Sequence, residues 1–230
     1  MRPLETGFCD RFDVDVPVVQ APIGSVSCPA LAAAVSNAGG LGSLAVTWRD
    51  ADATRRAVEE TSRLTDGTFA VNLVLDEATT SRPPAEHLEV CLEAGAPVVS
   101  FSFGEPATLL ERCASAGVPT IATVGSAAMA ETVVEAGADC VVAQGWEAGG
   151  HLQSDVATLP LVPRVVDAVP DTPVLAAGGV GDGRGLAAVL ALGADGAWLG
   201  TRFVATEEAA AHDRYQRAVS EATETATVRS

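Results

Sequence analysis

Ala136-Gly-Ala-Asp-Cys-Val-Val, at residues 136–142, is one of four copies of the pattern that decides the fold. The other copies are Ala94-Gly-Ala-Pro-Val-Val-Ser, Ala116-Gly-Val-Pro-Thr-Ile-Ala and Leu192-Gly-Ala-Asp-Gly-Ala-Trp. In each copy a helical pattern ends at a glycine, which readily takes the left-handed conformation at a helix C-terminus, and an apolar strand follows. The first three copies begin at residues 94, 116 and 136. This spacing fits a repeated unit of one short strand, one short helix and two tight loops.

Outward from these copies, the sequence predicts eight alternating strands and helices. The strands are expected over 16–22, 41–46, 69–75, 97–103, 119–124, 140–144, 173–177 and 196–200. The helices are expected over 28–38, 51–64, 84–94, 106–116, 126–136, 158–168 and 183–192, with one more helical stretch in the tail from residue 207 onward. The strands are nearly continuous apolar runs, which is typical of a parallel sheet buried on both faces. Eight alternations favour a closed (β/α)8 TIM barrel of the α/β class over an open doubly wound sheet.

Length and composition restrict the protein class. The 230 residues suit one barrel, because such barrels typically have about 250 residues, and no linker is visible, so residues 1–230 are predicted to form a single domain. The net charge of −16, from 30 acidic and 14 basic residues, would repel nucleic acid and anionic membranes. No segment has the roughly 18 consecutive apolar residues of a membrane span, and the N-terminus lacks a signal-peptide pattern. The protein is predicted to be cytoplasmic.

Cysteine and histidine patterns offer no metal site. The five cysteines include no C-x-x-C pair, so neither a zinc site nor a disulfide framework is predicted. Cys91, Cys113 and Cys140 fall in apolar patterns and are expected in the core. His87 and His212 have charged neighbours in helical patterns and are expected at the surface.

In a barrel of this kind the functional site lies where the strands end. Gly178-Gly179 follow the seventh strand and Gly200-Thr201 follow the eighth, which are the two positions where such barrels often bind phosphate through backbone N–H groups. The alternative is that these glycines only make tight turns. Because glycines occur at both of these turns, a phosphate site is favoured.

His151 follows Gly149-Gly150 in the loop after the sixth strand. An imidazole titrates near neutral pH and can act as a base, although the residue taken alone could equally be a surface histidine. Asn72 and Gln144 are amides in apolar strands, and a buried amide needs a hydrogen-bond partner, either neighbouring backbone or a ligand. Trp146 could cover a flat ligand or pack its own loop.

Several of these motifs together resemble the nitronate monooxygenases, formerly called 2-nitropropane dioxygenases. The resemblance runs from about Val16 to the end of the chain. The matching motifs are Gln20-Ala-Pro-Ile-Gly, Leu31-Ala-Ala-Ala-Val-Ser-Asn-Ala-Gly-Gly-Leu-Gly, Val71-Asn-Leu, Ser100-Phe-Ser-Phe-Gly, Ala143-Gln-Gly-Trp-Glu-Ala-Gly-Gly-His, Ala176-Ala-Gly-Gly-Val and Gly200-Thr-Arg-Phe. The histidine loop is the most specific of them.

The resemblance implies non-covalent FMN and the oxidation of alkyl nitronates by molecular oxygen, with a nitronate or nitroalkane as the small-molecule substrate. It makes His151 the catalytic base. It implies that FMN contacts the residues Ala21, Pro22, Ile23, Asn72, Gln144, Gly149, Gly178, Gly179, Gly200 and Thr201. No metal is expected.

Three departures from the family pattern stand out. Ile23 replaces a usual methionine, and Ser102 replaces a histidine that is frequent in the strand 4 motif. Family members also usually continue beyond the point where this chain ends, so a short C-terminal lid region is expected. The flavin site matches the family more fully than the substrate lid does.

Two other functions remain open at this point. The FMN-dependent enoyl-acyl-carrier-protein reductases and the NADH:quinone reductases of the same superfamily share the Glu147-Ala-Gly-Gly-His loop or nearly all of the motifs. A truncated barrel that binds a phosphate ligand without catalysis is the other alternative. The substrate and the oligomeric state are not determined by the sequence.

Overall fold

The computed structural model describes residues 4–76, 78, 80 and 82–228. Its strands are Val18–Gln20 (β1), Gly42–Ala45 (β2), Phe69–Val74 (β3), Val98–Ser102 (β4), Thr120–Val124 (β5), Cys140–Gln144 (β6), Val174–Ala177 (β7) and Gly196–Leu199 (β8). Its α-helices are Gly7–Phe12 (α1), Pro29–Asn37 (α2), Ala51–Leu64 (α3), Pro84–Glu93 (α4), Ala107–Ala116 (α5), Ala127–Glu135 (α6), Thr158–Ala168 (α7), Gly183–Ala191 (α8), Thr201–Val204 (α9) and Asp213–Glu221 (α10). A 3-10 turn spans Gly24–Val26.

The strands form one parallel sheet in the order β1-β8-β7-β6-β5-β4-β3-β2. A bridge between Val19 and Leu41 joins its two edges, with the Gln20 amide donating to the Leu41 carbonyl at 2.9 Å. The chain is therefore a (β/α)8 barrel, and the predicted fold is confirmed. Every predicted strand and helix is present, most of them one or two residues shorter at an end.

Gln20 stabilises the seam between β1 and β2, where backbone pairing is sparse. Its side chain is fully buried. Its Oε1 accepts a hydrogen bond from the Ser43 amide at 2.8 Å, and its Nε2 donates to Ser27 Oγ at 3.0 Å. Ser27 Oγ also accepts from the Ile23 amide at 2.8 Å. This buried amide therefore fixes the turn that leaves β1 at the end of the barrel where the site lies.

The repeated Gly-Ala-Asp sequences have a structural role. Gly137 and Gly193 take φ angles of 100° and 92°, which side-chain-bearing residues rarely adopt. The aspartate that follows each turn accepts a hydrogen bond from the start of the preceding strand. Asp139 Oδ2 accepts from the Thr120 amide at 2.8 Å, and Asp195 Oδ2 accepts from the Val174 amide at 2.9 Å. The pattern that predicted the barrel thus also holds the N-terminal ends of its strands together.

Helix α1, which the sequence analysis did not predict, closes the N-terminal end of the barrel. Phe8 and Phe12 are buried in the same apolar cluster as the inward-facing side chains of the strands. Arg11 pairs with Asp139, just before β6. A second apolar cluster lies between the sheet and the surrounding helices.

Cys91, Cys113 and Cys140 are buried, as predicted. His87, expected at the surface, is buried with only 2% of its area exposed, so that prediction is wrong. It lies on the face of α4 that packs against α3, where its Nε2 is 3.0 Å from Thr54 Oγ1. Within the described residues, no helix is long and apolar enough to cross a bilayer.

Candidate active site

Most of the predicted site residues lie on the turns at the C-terminal end of the barrel, whereas Asn72 and Gln144 lie within β3 and β6. A Cβ placed on Gly200 would lie 3.8 Å from Ala21 Cβ and 4.0 Å from Ile23 Cγ1, so the turns after β8 and β1 face each other. A Cβ placed on Gly149 would lie 3.0 Å from Thr201 Oγ1. The histidine loop therefore reaches the turn after β8, and three segments far apart in sequence meet at one site.

The loop between β6 and α7, residues 145–157, carries His151 and is closed at its base. The Trp146 amide donates to the Val156 carbonyl at 2.8 Å. Glu147 accepts hydrogen bonds from the amide and the hydroxyl of Thr158 at 2.8 and 2.9 Å, and so caps the start of α7. The Trp146 side chain is 43% exposed on this loop. These bonds give the loop a defined shape even though it extends well beyond the strand ends.

Glu147 is held as a structural carboxylate. Burial would raise its pKa, but the hydrogen bonds from Thr158 and from its own amide outweigh burial and lower the pKa below its usual range. A carboxylate held ionised in this way is a poor proton donor near neutral pH. Glu147 therefore does not compete with His151 for the role of acid or base.

Gln144, at the end of β6, binds the backbone of the histidine loop. Its Nε2 donates to the His151 carbonyl at 3.0 Å, and its Oε1 accepts from the Gln153 amide at 2.9 Å. The Gln144 amide, predicted to need a partner, is half-buried and bonds to neighbouring backbone. Its two hydrogen bonds fix the main chain on both sides of Leu152.

Asn72 belongs to a row of neutral polar side chains on three neighbouring strands, β3, β4 and β5. Its Nδ2 donates to Ser100 Oγ at 3.0 Å and to Ser102 Oγ at 3.1 Å. Ser102 Oγ is in turn 3.3 Å from Thr123 Oγ1, on β5. Ser102 replaces the histidine common in the family motif, and this position therefore provides a small hydroxyl and no second imidazole.

Phe103 contacts His151 directly. The two ring centroids are 5.8 Å apart with an interplanar angle of 65°, an edge-to-face arrangement. Phe103 has a φ of 60°, in the left-handed region that bulky residues rarely occupy. The turn after β4 thus holds an unfavourable backbone conformation, at a cost of roughly 1–3 kcal/mol, in a residue whose ring meets the candidate base.

The two glycine turns differ in what surrounds them. A Cβ on Gly178 would lie 2.6 Å from Thr158 Oγ1, so this glycine permits close packing of the chain on itself. A Cβ on Gly179, at a φ of 71°, would meet only Glu147 Cβ at 3.7 Å. Gly178 is half-buried and Gly179 is exposed. The second glycine therefore presents backbone to the open side of the barrel end.

Sequence reasoning missed Phe103, Thr123 and Gln153 as members of this site. All three are at or just after strand ends or in the histidine loop, so their position was available as a signal, but their partners lie on other strands. Within the described part of the chain, no three His, Cys, Asp or Glu side chains are grouped so that they could hold a metal ion.

Comparison with known proteins identifies relatives of this chain. Residues 6–229 match the family model described as nitronate monooxygenase. A nitronate monooxygenase from Paraburkholderia phytofirmans is 38% identical over 249 residues, a match that covers 90% of this chain and 68% of that protein.

Two further relatives carry other names. The (3aS,4S,5R,7aS)-5-hydroxy-7a-methyl-1-oxo-octahydro-1H-indene-4-carboxyl-CoA dehydrogenase of Rhodococcus jostii is 41% identical over 214 residues, covering 93% of this chain. The chain spans 59% of the length of that relative. The structure of FabK from Thermotoga maritima superposes with a TM-score of 0.89 at 39% identity, covering 95% of this chain and 68% of that one.

Proposed function

Because the chain belongs to the nitronate monooxygenase family, we propose that it is an FMN-dependent oxidoreductase that oxidises alkyl nitronates with molecular oxygen. His151 is the base toward neutral nitroalkanes. The observation that carries this proposal is the placement of His151 at the barrel end, with its backbone bonded to Gln144 and its ring against Phe103. An imidazole that is exposed at this end of the barrel can accept a proton from a bound substrate.

The donors at this end of the barrel fit the phosphate of FMN. Gly178 and Gly179 form the turn after β7, and Gly179 is exposed at a φ of 71° with only Glu147 Cβ within 4 Å of a Cβ position. The turn after β8 lies beside them in the barrel because β7 and β8 are neighbours. Glycine backbone at the turns after the last two strands can approach an anion closely, which suits a phosphate. We assign the phosphate to Gly178-Gly179 and Gly200-Thr201.

The remaining contacts to FMN are proposed for residues that line the same end. They are Ala21, Pro22, Ile23, Asn72, Gln144 and Gly149. Asn72 and Gln144 are neutral amides, and each already bonds to protein atoms. They therefore present fixed dipoles to a bound ring system and add no net charge. FMN, when bound, supplies the electron-accepting group that links oxidation of the substrate to molecular oxygen.

The chain's own chemical contribution is one proton transfer. In a neutral nitroalkane, the C–H bond next to the nitro group breaks, its proton passes to a ring nitrogen of His151, and the electron pair delocalises onto the nitro oxygens. This C–H is acidic because of that delocalisation, so an imidazole base suffices. A nitronate has already lost the proton, and toward it His151 can only orient or stabilise the anion.

A second candidate is an FMN-dependent NAD(P)H reductase of the same superfamily. The similarity to FabK and to the Rhodococcus CoA-ester dehydrogenase favours it, because both match this chain at about 40% identity. The two functions make opposite predictions for the source of electrons. A reductase takes them from NAD(P)H, whereas the proposed oxidation takes them from the nitronate.

Purified protein tests these functions. The proposed function predicts a yellow protein with a flavin spectrum and oxygen uptake with an alkyl nitronate. Anaerobic bleaching of the flavin by NADH or NADPH, without oxygen uptake on a nitronate, would instead identify the reductase. A protein that stays colourless after addition of FMN would favour the non-catalytic barrel and overturn both.

We also propose that the protein is cytoplasmic. The described chain contains five cysteines as free thiols, four of them buried. Free thiols are usual where disulfides do not form. Fractionation of the native cells would test this location.

A further inference from the structure

We propose that Gln153 is a positioning residue for His151, one that fixes the histidine loop to the barrel through β5. This inference rests on the proposed function, because it assumes that His151 is the base. Gln153 lies two residues after the histidine, on a part of the loop that no family motif singled out. The contacts of its backbone and of its side chain carry the argument.

The backbone of Gln153 is bonded to β6 and its side chain to β5. Its amide donates to Gln144 Oε1 at 2.9 Å, and its Nε2 donates to the Thr123 carbonyl at 3.2 Å. The second half of the loop is thus held at two strand ends that are neighbours in the barrel. Three hydrogen bonds, counting that of Gln144 to the His151 carbonyl, define where the main chain passes.

Gly125 shows how closely this half of the loop is seated. A Cβ at Gly125 would overlap the Gln153 carbonyl and come within 3.1 Å of the Ser154 amide. The loop therefore rests directly on the turn between β5 and α6. The two backbones are therefore in direct contact.

The residues on the N-terminal side of His151 have more backbone freedom. Gly149 and Gly150 precede the histidine, and Gly150 takes a φ of 81° with nothing within 4 Å of a Cβ position. Glycine has the largest conformational freedom of any residue. The position of His151 is therefore set from its C-terminal side, where Gln144 and Gln153 act. If one of these hydrogen bonds is lost, rotation at Gly149 and Gly150 allows His151 to move.

The expected consequence is a loss of rate without a loss of fold. A displacement of about 1 Å of a catalytic group can reduce a rate roughly 10²-fold. We expect Gln153→Ala to lower the turnover of a neutral nitroalkane by about 10- to 100-fold. The nitronate rate should change less than about threefold, because that substrate needs no base. FMN affinity should stay within about twofold, since Gln153 is not among the proposed contacts of the cofactor.

Two variants and a matched control make the test specific. Gln153→Met keeps the length of the side chain and removes its amide, including the Nε2 donor that bonds Thr123, so it covers the case in which Gln153→Ala perturbs folding. Gln216→Ala removes a bond of the same kind, from Gln216 Nε2 to the Thr206 carbonyl at 2.7 Å, on α10. The control should keep wild-type rates. In a His151→Asn background, Gln153→Met should cause no further loss, which a merely structural role would not produce.

Amide hydrogen exchange provides a readout that needs no activity. In the FMN-loaded protein, Gln153→Ala and Gln153→Met should speed exchange in residues 151–154 by at least about tenfold, and Gln216→Ala should not. Unchanged exchange there overturns the proposal, whether or not nitroalkanes are substrates. Wild-type nitroalkane rates in Gln153→Met, when His151→Asn is impaired, also overturn it. If the wild-type enzyme leaves nitroalkanes untouched, the proposed role of His151 as a base fails, and hydrogen exchange alone decides the role of Gln153.

Discussion

The two ends of the barrel are built from different chemistry. The N-terminal end is filled by the aromatic rings of Phe8 and Phe12. It also carries the ion pair between Arg11 and Asp139. The C-terminal end is lined by neutral amides, hydroxyls and glycine turns, with His151 exposed among them. Apolar burial stabilises folds, whereas open backbone and unburied polar groups are available to ligands. The first end should therefore govern stability and the second should govern binding and rate.

The largest effect on stability is expected at the closed end. Phe8 is fully buried. Phe8→Ala removes a buried aromatic ring and should lower the free energy of unfolding by about 3–5 kcal/mol. Thermal and urea unfolding measure this change. FMN affinity of the remaining folded protein should be unaltered, and a tenfold loss of affinity would show that the two ends are coupled.

The open end should show the reverse behaviour. Gly179→Val places a branched side chain where the phosphate of FMN is proposed to bind, and FMN affinity should fall at least about 100-fold, or about 2.7 kcal/mol. Gly95→Val is the matched control. Gly95 has a φ of 81° with open space around it, and it lies between α4 and β4, at the N-terminal end of the barrel. Both variants suffer backbone strain of roughly 1–2 kcal/mol. Unaltered FMN affinity in Gly179→Val, by fluorescence titration, would place the phosphate elsewhere.

A smaller effect is expected from the ion pair at the closed end. Arg11 is 54% exposed on its side chain, whereas Asp139 also accepts bonds from Thr120. Exposed ion pairs contribute about 0–1 kcal/mol, so Arg11→Ala should destabilise by no more than about 1 kcal/mol. The difference from wild type should shrink in high salt. A loss above about 2 kcal/mol would mean that α1 depends on this charge and not on its phenylalanines.

The smallest effect concerns pH and His87, which belongs to neither end. Burial, together with the charge of Arg82, lowers the pKa of His87 below its ordinary value of 6.5. The unfolded chain therefore takes up this proton before the folded protein does. The stability that the neutral ring contributes is complete above pH 6.5 and is lost as the pH falls from there toward the folded-state pKa.

Unfolding temperatures measured about one pH unit above and below 6.5 test this behaviour. Wild type should lose more stability on acidification than His87→Gln, which keeps a polar partner for Thr54. An equal loss in both proteins would show that His87 does not contribute to the pH dependence.

The barrel could be predicted because its pattern is local and repeated. Each unit ends a helix at glycine and begins an apolar strand, as at Gly137 and Gly193. Helix α1 could not be predicted in the same way, because six residues are too few for helical periodicity to be distinguished. Its burial depends on strands more than a hundred residues away. His87 was misassigned for a related reason, since the neighbours that bury it lie on α3.

The residues of the candidate site were predictable by position, but their hydrogen bonds were not. Gln144 was expected to need either backbone or a ligand, and the choice of the histidine loop depends on how residues 145–157 fold back. Gln153 could be placed in the histidine loop from the sequence, but its role could not be predicted, because its partner is the backbone carbonyl of Thr123 on β5. Phe103 was quoted within a motif, but its strained φ angle and its contact with His151 follow only from the structure.

The most direct test of the central claim compares two substrates on FMN-loaded His151→Asn. A base is needed for the neutral nitroalkane and not for its nitronate, so the variant should lose roughly 10²- to 10⁴-fold on the first and much less on the second. Its flavin content and unfolding temperature should match wild type, because His151 is exposed. Equal activity of the variant and wild type on the neutral substrate would remove His151 from the mechanism.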